Sequence, residues 1–549
     1  MRSTFMGLET SKRGLFTQQT ALYTTGHNIS NANTIGYSRQ RVNMQATLGF
    51  PGSGLDGPKT AGHIGTGVEA GSIQRIRNQF VDRQFRQEAT RLGYWGAKTE
   101  SMDQMEDIMK EPSDYGLKQA FNNFYQAMQA ISKGPETSAT RTVALEHATH
   151  LADSFNYING QLKEVQGNLK NQLSVQTEKI NSILRQIASL NEQIQKVEPN
   201  GHLPNGLYDE RDKLIDELSE YVPIEISYTK SGGLSLGMAE GAVVIKFKGT
   251  DTTLVEGNRV AQLQAQGKKA NDDGKITGDA EALTKDLKEF QAFTGFGVSE
   301  LVKVEEAEKL KPNQFESKSI KVDDLNIGGG KMISLAHSYG YADAGSTFPQ
   351  GDYPSTLQDL SKLAQAFVSA FNQIHNQGYQ LNSSTNGEDF FAIDDDGKVT
   401  VKITDPSQIA ASTEPNEEGN GKLAIILSNL ENTSLSDGKV IDLGNGTSIT
   451  LSFTKDVDDL EGATTQSFFQ GIIGKMGVKG LEAYSQAERS AINQLGNSER
   501  RASESSVQID EEITNMIMFQ QAYNASARMI TVVDETLDKI INGMGRVGL

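Results

Sequence analysis

The sequence predicts an α+β multidomain fold, in which both chain ends build a long helical rod and β-rich domains are inserted into it. Three observations predict this. The 549 residues exceed what a single hydrophobic core organises, so several domains are expected. Both ends, and the stretch leading to Val197, carry apolar residues at alternating spacings of three and four, the mark of one helix face. Residues 222–350 and 381–460 switch instead to period-two patterning broken by turn signals.

Each element follows in order. Leu8, Leu15, Leu22 and Ile29 recur every seven residues with Ser11, Gln18 and Thr25 between them, a narrow stripe of the coiled-coil kind. Asn28 to Gln40 reads as a helix stop and a structured turn. Its asparagines, Asn28, Asn31 and Asn33, compete with helical hydrogen bonds, and Gly36 permits a left-handed backbone before Tyr37. Residues 41–75 predict an irregular loop and then a short strand near Gly67–Ile76. Helices are predicted over 80–109 and 117–131, the second broken by Gly134-Pro135. A longer one covers 137–197, with Leu162, Leu169, Leu173, Ile180, Ile187 and Ile194 on its face. Residues 162–197 alone would reach about 54 Å at ~1.5 Å per residue, longer than a compact domain and suited to a rod.

A short helix over 209–221 precedes the first β-rich stretch, where Ile224, Ile226 and Tyr228 alternate and Val243 to Phe247 follows. Some helix is expected there around 279–292. Residues 354–376 return to helix through Leu357, Leu360, Leu363, Phe367, Phe371 and Ile374. In the second β-rich stretch, Asn445-Gly446 between Ile441 and Ile449 predicts a hairpin. Residues 466–501 form another long helix. The last segment alternates four and three without a slip: Ile509, Ile513, Met516, Gln520, Tyr523, Ala527, Ile530, Asp534, Leu537, Ile541 and Met544. Asp510, Glu511 and Glu512 at its start complement the helix dipole. The expected organisation is a terminal layer of 1–40 with 505–549, a rod of 41–221 with 354–380 and 461–504, and β-rich inserts over 222–350 and 381–460.

Composition and motifs argue against most chemistry. With 52 Lys+Arg against 70 Asp+Glu the net charge is −18, which repels nucleic acid and anionic membranes. There is no cysteine, so disulfides, thiolate nucleophiles and cysteine metal sites are excluded. No stretch approaches the ~20 apolar residues of a membrane span, and the N-terminus lacks a signal peptide's apolar run. The expectation is a protein that stays in the cytoplasm or leaves without a cleaved signal. Gly65-Thr66-Gly67 opening toward Ala70 fits a dinucleotide loop only loosely, since no apolar strand precedes it. Gly330-Lys331 lacks the remaining phosphate-loop residues, with Leu325 and Met332 in the wrong places. Asp394-Asp395-Asp396-Gly397 puts Ala392 and Ile403 where a calcium loop needs carboxylates, and reads as a solvated hairpin turn. His147 and His150 share a helix face but have no further ligands by spacing. No catalytic residue, metal or cofactor is predicted. The narrow terminal seams cannot hold an isolated helix, so both ends are expected to order against each other, a neighbour or a chaperone.

Both ends resemble the axial proteins of the bacterial flagellum. GLETSKRGLFTQQTALYTTGHNISNANTIGYSRQRV is similar to their N-terminal signature, with His27 and Ile35 as small departures. VQIDEEITNMIMFQQAYNASARMITVVDETLDKIIN is similar to the C-terminal one. Gly65–Arg86 and the Asp209-Glu210-Arg211-Asp212 segment within Leu207–Ile226 resemble the hook-associated group in particular. That resemblance implies a structural subunit at the junction of hook and filament, assembled as a ring of identical copies. It implies contacts with hook protein and hook-associated protein 3, type III export, and a cytoplasmic flagellar export chaperone on the C-terminal helix. The hook protein or hook-associated protein 3 itself is the alternative within the family. An enzyme domain carried on the shaft is the alternative outside it, and 228–460 offers no clustered acid or metal set for one.

Overall fold

The computed structural model describes residues 5–50, 64–110, 113, 115–270, 276–282, 291–307, 309–310, 315, 318–322, 329–343, 345–394, 397–453 and 460–543. Helix α1 (Met6–Ser30) leads through a turn into strand β1 (Gln40–Ala46), which pairs antiparallel with β2 (Val68–Arg75) from Gln40↔Arg75 to Ala46↔Val68. The predicted loop over the first part of 41–75 is therefore half of a β-ribbon. Its residues are mostly half-buried or exposed, so no apolar alternation announces the strand.

The rod is built from α2 (Gln79–Met109), α3 (Leu117–Lys133), α4 (Ser138–Val197) and α5 (Asn205–Tyr221), joined later by α6 (Lys331–Tyr339), α7 (Asp352–His375) and α9 (Thr465–Ser505). α4 has 60 residues and spans about 90 Å. Where α3, α4 and α7 meet, Phe121, Phe124, Phe155, Phe367 and Phe371 interlock, many of them edge to face. Full burial of each such ring contributes about 1.5–3 kcal/mol, and this knot holds α3, α4 and α7 together.

The first insert holds a five-stranded antiparallel sheet, ordered β10-β6-β5-β4-β3, and a four-stranded one, ordered β11-β9-β7-β8. Its strands are β3 (Ile224–Thr229), β4 (Ala242–Phe247), β5 (Thr253–Glu256), β6 (Arg259–Val260), β7 (Leu263–Ala270), β8 (Ile276–Ala282), β9 (Ala292–Val298), β10 (Val302–Lys303) and β11 (Lys318–Lys321). Helix is predicted around 279–292; residues 279–282 end β8 and Ala292 opens β9 instead, and 283–290 lie outside the described residues. The second insert is two hairpins, β12 (Phe391–Ile393) with β13 (Val399–Val401) and β14 (Val440–Asp442) with β15 (Ser448–Thr450), around helix α8 (Lys422–Asn429). α8 adds a helix to the segment expected to be β-rich. A short apolar run fits helix or strand equally, and burial of Leu423, Ala424 and Leu427 on one side decides for helix. The Asp394–Gly397 turn joins β12 to β13, Gly397 at φ 75°; Asp395 and Asp396 lie outside the described residues.

Asparagines tie the inserts to the rod. On α4, Asn156 brackets the peptide groups of Val399, Asn181 those of Leu263, and Asn191 those of Val243. Each donates its amide N–H to the carbonyl and accepts from the N–H, at 2.7–3.0 Å. A side-chain amide carries one acceptor and two donors, so it can stand in for a neighbouring strand.

Candidate assembly interface

The two chain ends pack on each other. α1 lies antiparallel against α10 (Ile509–Gly543), and its other side lies on β1 and β2. The register is regular. A β-carbon on Gly7 would sit 3.5 Å from Val533 Cγ2, and one on Gly14 would sit 3.3 Å from Ser526 Oγ. Asn28 Nδ2 donates to Glu512 at 2.9 Å. Steps of seven and fourteen along α1 are thus matched by equal steps back along α10, which carries Ala21 opposite Phe519. Closest approach is made by a column of small residues, Gly7, Gly14 and Ala21, ending in Asn28. Small side chains let helix axes come nearer than the usual ~8–10 Å separation favours.

The predicted leucine stripe is one residue away from this line. Leu8, Leu15, Leu22 and Ile29 each follow a member of the small column and are half-buried. On α10, Met516, Tyr523, Ile530 and Leu537 are half-buried beside the line of contact, and so is Ala527. The line itself is Glu512, Phe519, Ser526 and Val533. Ile509, Ile513, Gln520 and Ile541 are exposed, and Met544 lies outside the described residues. Glu and Ser in the contact column hide it from an apolar periodicity search.

The turn is built around Asn28. Its Oδ1 accepts from Tyr37 Oη at 2.7 Å and from Gln40 N–H at 3.0 Å, while Nδ2 also donates to Gln40 O at 2.8 Å. Asn31 Nδ2 donates to His27 O, Asn31 Oδ1 accepts from Thr34, and Asn33 is exposed. Gly36 sits at φ 89°, where a β-carbon is strained. Burial, with Asp209 and Glu512 nearby, pushes the Tyr37 hydroxyl above its ordinary range. Arg39 closes the site: Nε donates to buried Glu512 at 2.7 Å, Nη1 to Glu511 at 2.8 Å, and its N–H to Ser505 O at 2.8 Å.

Directly behind the turn lies a buried ion network. Arg75 bonds Asp209, Asp212 and Glu240 at 2.5–2.9 Å; Arg77 bonds Asp82 and Asp212; Arg86 bonds Asp212 and Asp216. Arg211 bonds Glu240, and Arg501 bonds Asp82 and Asp216. Five guanidiniums meet five carboxylates, so the network is neutral. Burial alone would raise Asp212, but Arg77, Arg75, Arg86 and Arg211 outweigh it and hold its carboxyl well below the ordinary range. Ser38 N–H donates to Asp209 at 3.2 Å, which joins the network to the turn. Sequence reading marked the arginine and aspartate segments as family features but did not pair them.

The loosely matching motifs have packing surroundings among the described residues. Gly67 packs on the backbone of Thr10, His150 lies against the Tyr115 ring, and Gly330 opens α6. Among the described residues no helix is long and apolar enough to cross a membrane.

Residues 102–391 match the family described as flagellar hook-associated protein FlgK helical domain, and residues 500–543 match flagellar basal body rod FlgEFG protein C-terminal. Flagellar hook-associated protein 1 of Bacillus subtilis (strain 168) is 38% identical over 555 residues, covering 99% of each chain. The chain belongs to the flagellar hook-associated protein 1 family. The family's member from Escherichia coli (strain K12) is 25% identical over 601 residues, covering 96% of this chain and 98% of its own. The flagellar hook junction protein FlgK from Burkholderia pseudomallei shares the fold, with TM-score 0.56 at 12% identity, over 76% of this chain and 99% of that one. As a member of the hook-associated protein 1 family the chain is a structural part of the flagellum, outside the cell.

Proposed function

We propose that this chain joins hook to filament as one subunit of a ring. The terminal pair α1/α10 forms its inner layer, and residues 41–221, 354–380 and 461–504 form the surrounding rod. The single observation that carries this reading is the apolar surface left over on the terminal pair. Phe16 and Tyr23 on α1, and Ile513, Ile517 and Ile541 on α10, are exposed although both helices already have a partner. A two-helix layer with apolar outer faces needs neighbours on both sides. Asn28, Asn31, Asn33, Gly36 and Tyr37 set the bend between inner layer and rod, and the 222–350 and 381–460 inserts project from that rod. The ends of the ring meet hook protein on one side and hook-associated protein 3 on the other. Before export a cytoplasmic flagellar chaperone covers the outer face of α10. The role is mechanical rather than enzymatic.

Deleting 509–549 tests this. The expected outcome is a chain whose inserts stay folded but which is absent from flagella, with hooks lacking filaments and flagellin lost to the medium. Normal filaments would sink the reading. Absent hooks in a full deletion strain would point instead to hook protein.

A further inference from the structure

We propose that the outer face of α9 is a second contact between neighbouring copies of this chain, and that it receives the exposed apolar line on α4 of the next copy. This rests on the ring reading above. α9 buries Phe469, Ile472, Met476 and Ala483 on one side. On the opposite side Val478, Leu481, Tyr484, Ile492 and Leu495 are 59–72% exposed. At ~100° per residue all five fall in one arc facing away from the buried set. Single exposed apolar residues are ordinary. Five on one face, over about 26 Å of helix, make a helix apolar on both sides, and such a helix is covered on both sides.

The occupant follows from symmetry. In a ring, the side that one copy offers meets a different side of the next, so two unlike surfaces must match. α9 packs on α2, α7 and α3, and α4 packs on α3, α7 and α2, so the two helices flank that middle layer. α4 carries Val143, Tyr157 and Val175 on its solvent side, 45–62% exposed. Tyr115 stacks on Tyr157 with ring centroids 4.6 Å apart, which widens the line. Opposite flanks of one rod therefore present the two apolar faces that a lateral contact requires.

The chain has no cysteine, so introduced pairs report without background. Leu481→Cys is combined in turn with Val143→Cys, Tyr157→Cys and Val175→Cys in the full chain, expressed in cells lacking their own copy, and assembled flagella are oxidised. The stagger between copies selects which of the three lies opposite Leu481. One double variant is expected to give a ladder of dimers, trimers and larger species, while the single variants give none. Two results overturn the proposal with the ring reading intact: flagella that assemble and give no ladder from any pair, or dimers from Leu481→Cys alone, which mean that two α9 faces meet each other. Absence of the unaltered chain from purified flagella is a separate result and overturns the ring reading itself.

Discussion

Asn191 is wholly buried on α4, and its amide serves both the N–H and the carbonyl of Val243. Asn28, Asn156, Asn181 and Asn372 do the same for Gln40, Val399, Leu263 and Phe391. Asn191→Leu keeps the branched outline but takes the partner from three backbone groups, the N–H and carbonyl of Val243 and the carbonyl of Gly257, each costing about 1–3 kcal/mol where it stays buried and unpaired. Denaturant unfolding is expected to show that loss, and hydrogen exchange to show it first at β4. His375 makes a different demand. Its Nε2 accepts from Ala410 N–H at 2.9 Å, so Nδ1 carries the proton toward Glu388 O at 2.7 Å. Burial, the main cause, lowers its pKa from 6.5 to about 4, so the folded state holds the ring neutral. The unfolded chain binds that proton first as pH falls. The stabilisation is full above the unfolded value and is lost as pH falls from 6.5 toward about 4, a change of about 3 kcal/mol. Unfolding midpoints that stay level across that window would contradict the assignment.

Among elements, the terminal helix pair shows how a heptad can be read one step off. Leucine repeats stand out in the sequence, and glycine repeats at the same period do not. Yet glycine permits the spacing, because a β-carbon on Gly14 would meet Ser526 Oγ at 3.3 Å, closer than an ordinary contact. Gly14→Val is expected to push α10 from α1, costing about 1–3 kcal/mol as overpacking. The readout is faster limited proteolysis within 509–543, with the rod's unfolding midpoint unchanged. Cleavage at the original rate would show that the helices do not touch there. Elsewhere elements were legible in proportion to their burial. The long helices α2, α4, α7 and α9 each bury an apolar face and were found within a few residues of their ends. The β1–β2 ribbon has little buried surface on either face and left no alternation to find.

For the whole molecule, the ion network is the joint. It gathers the base of the β-ribbon, α2, α5, the turn before β4 and the end of α9. Asp212→Asn removes the carboxylate that Arg75, Arg77 and Arg86 share. Losing one partner of a buried ion group costs about 3–5 kcal/mol. Here the loss is expected to appear as raised hydrogen exchange in α2, α5 and α9 together, and loosening of α5 alone would speak against a shared joint. Asp212 also predicts acid sensitivity. Its folded pKa is depressed, so its contribution is present above the ordinary carboxylate value of 3.8 and declines as pH falls below it.

What the sequence by itself determined was the plan: helical ends, long rod helices and β-rich inserted segments. Period and composition are local properties, and a buried face leaves its period in the chain. Family membership was legible for the same reason, since Asn28–Tyr37 and Glu511–Tyr523 are contiguous runs. Only the tertiary structure decided which column of α10 meets α1, which carboxylate each arginine takes, and which peptide each asparagine brackets. Those pairings join residues tens to hundreds of positions apart, Asn28 to Glu512 across 484 of them. A charge or an amide advertises that it needs a partner, but distance along the chain does not say which one folding will bring within 3 Å.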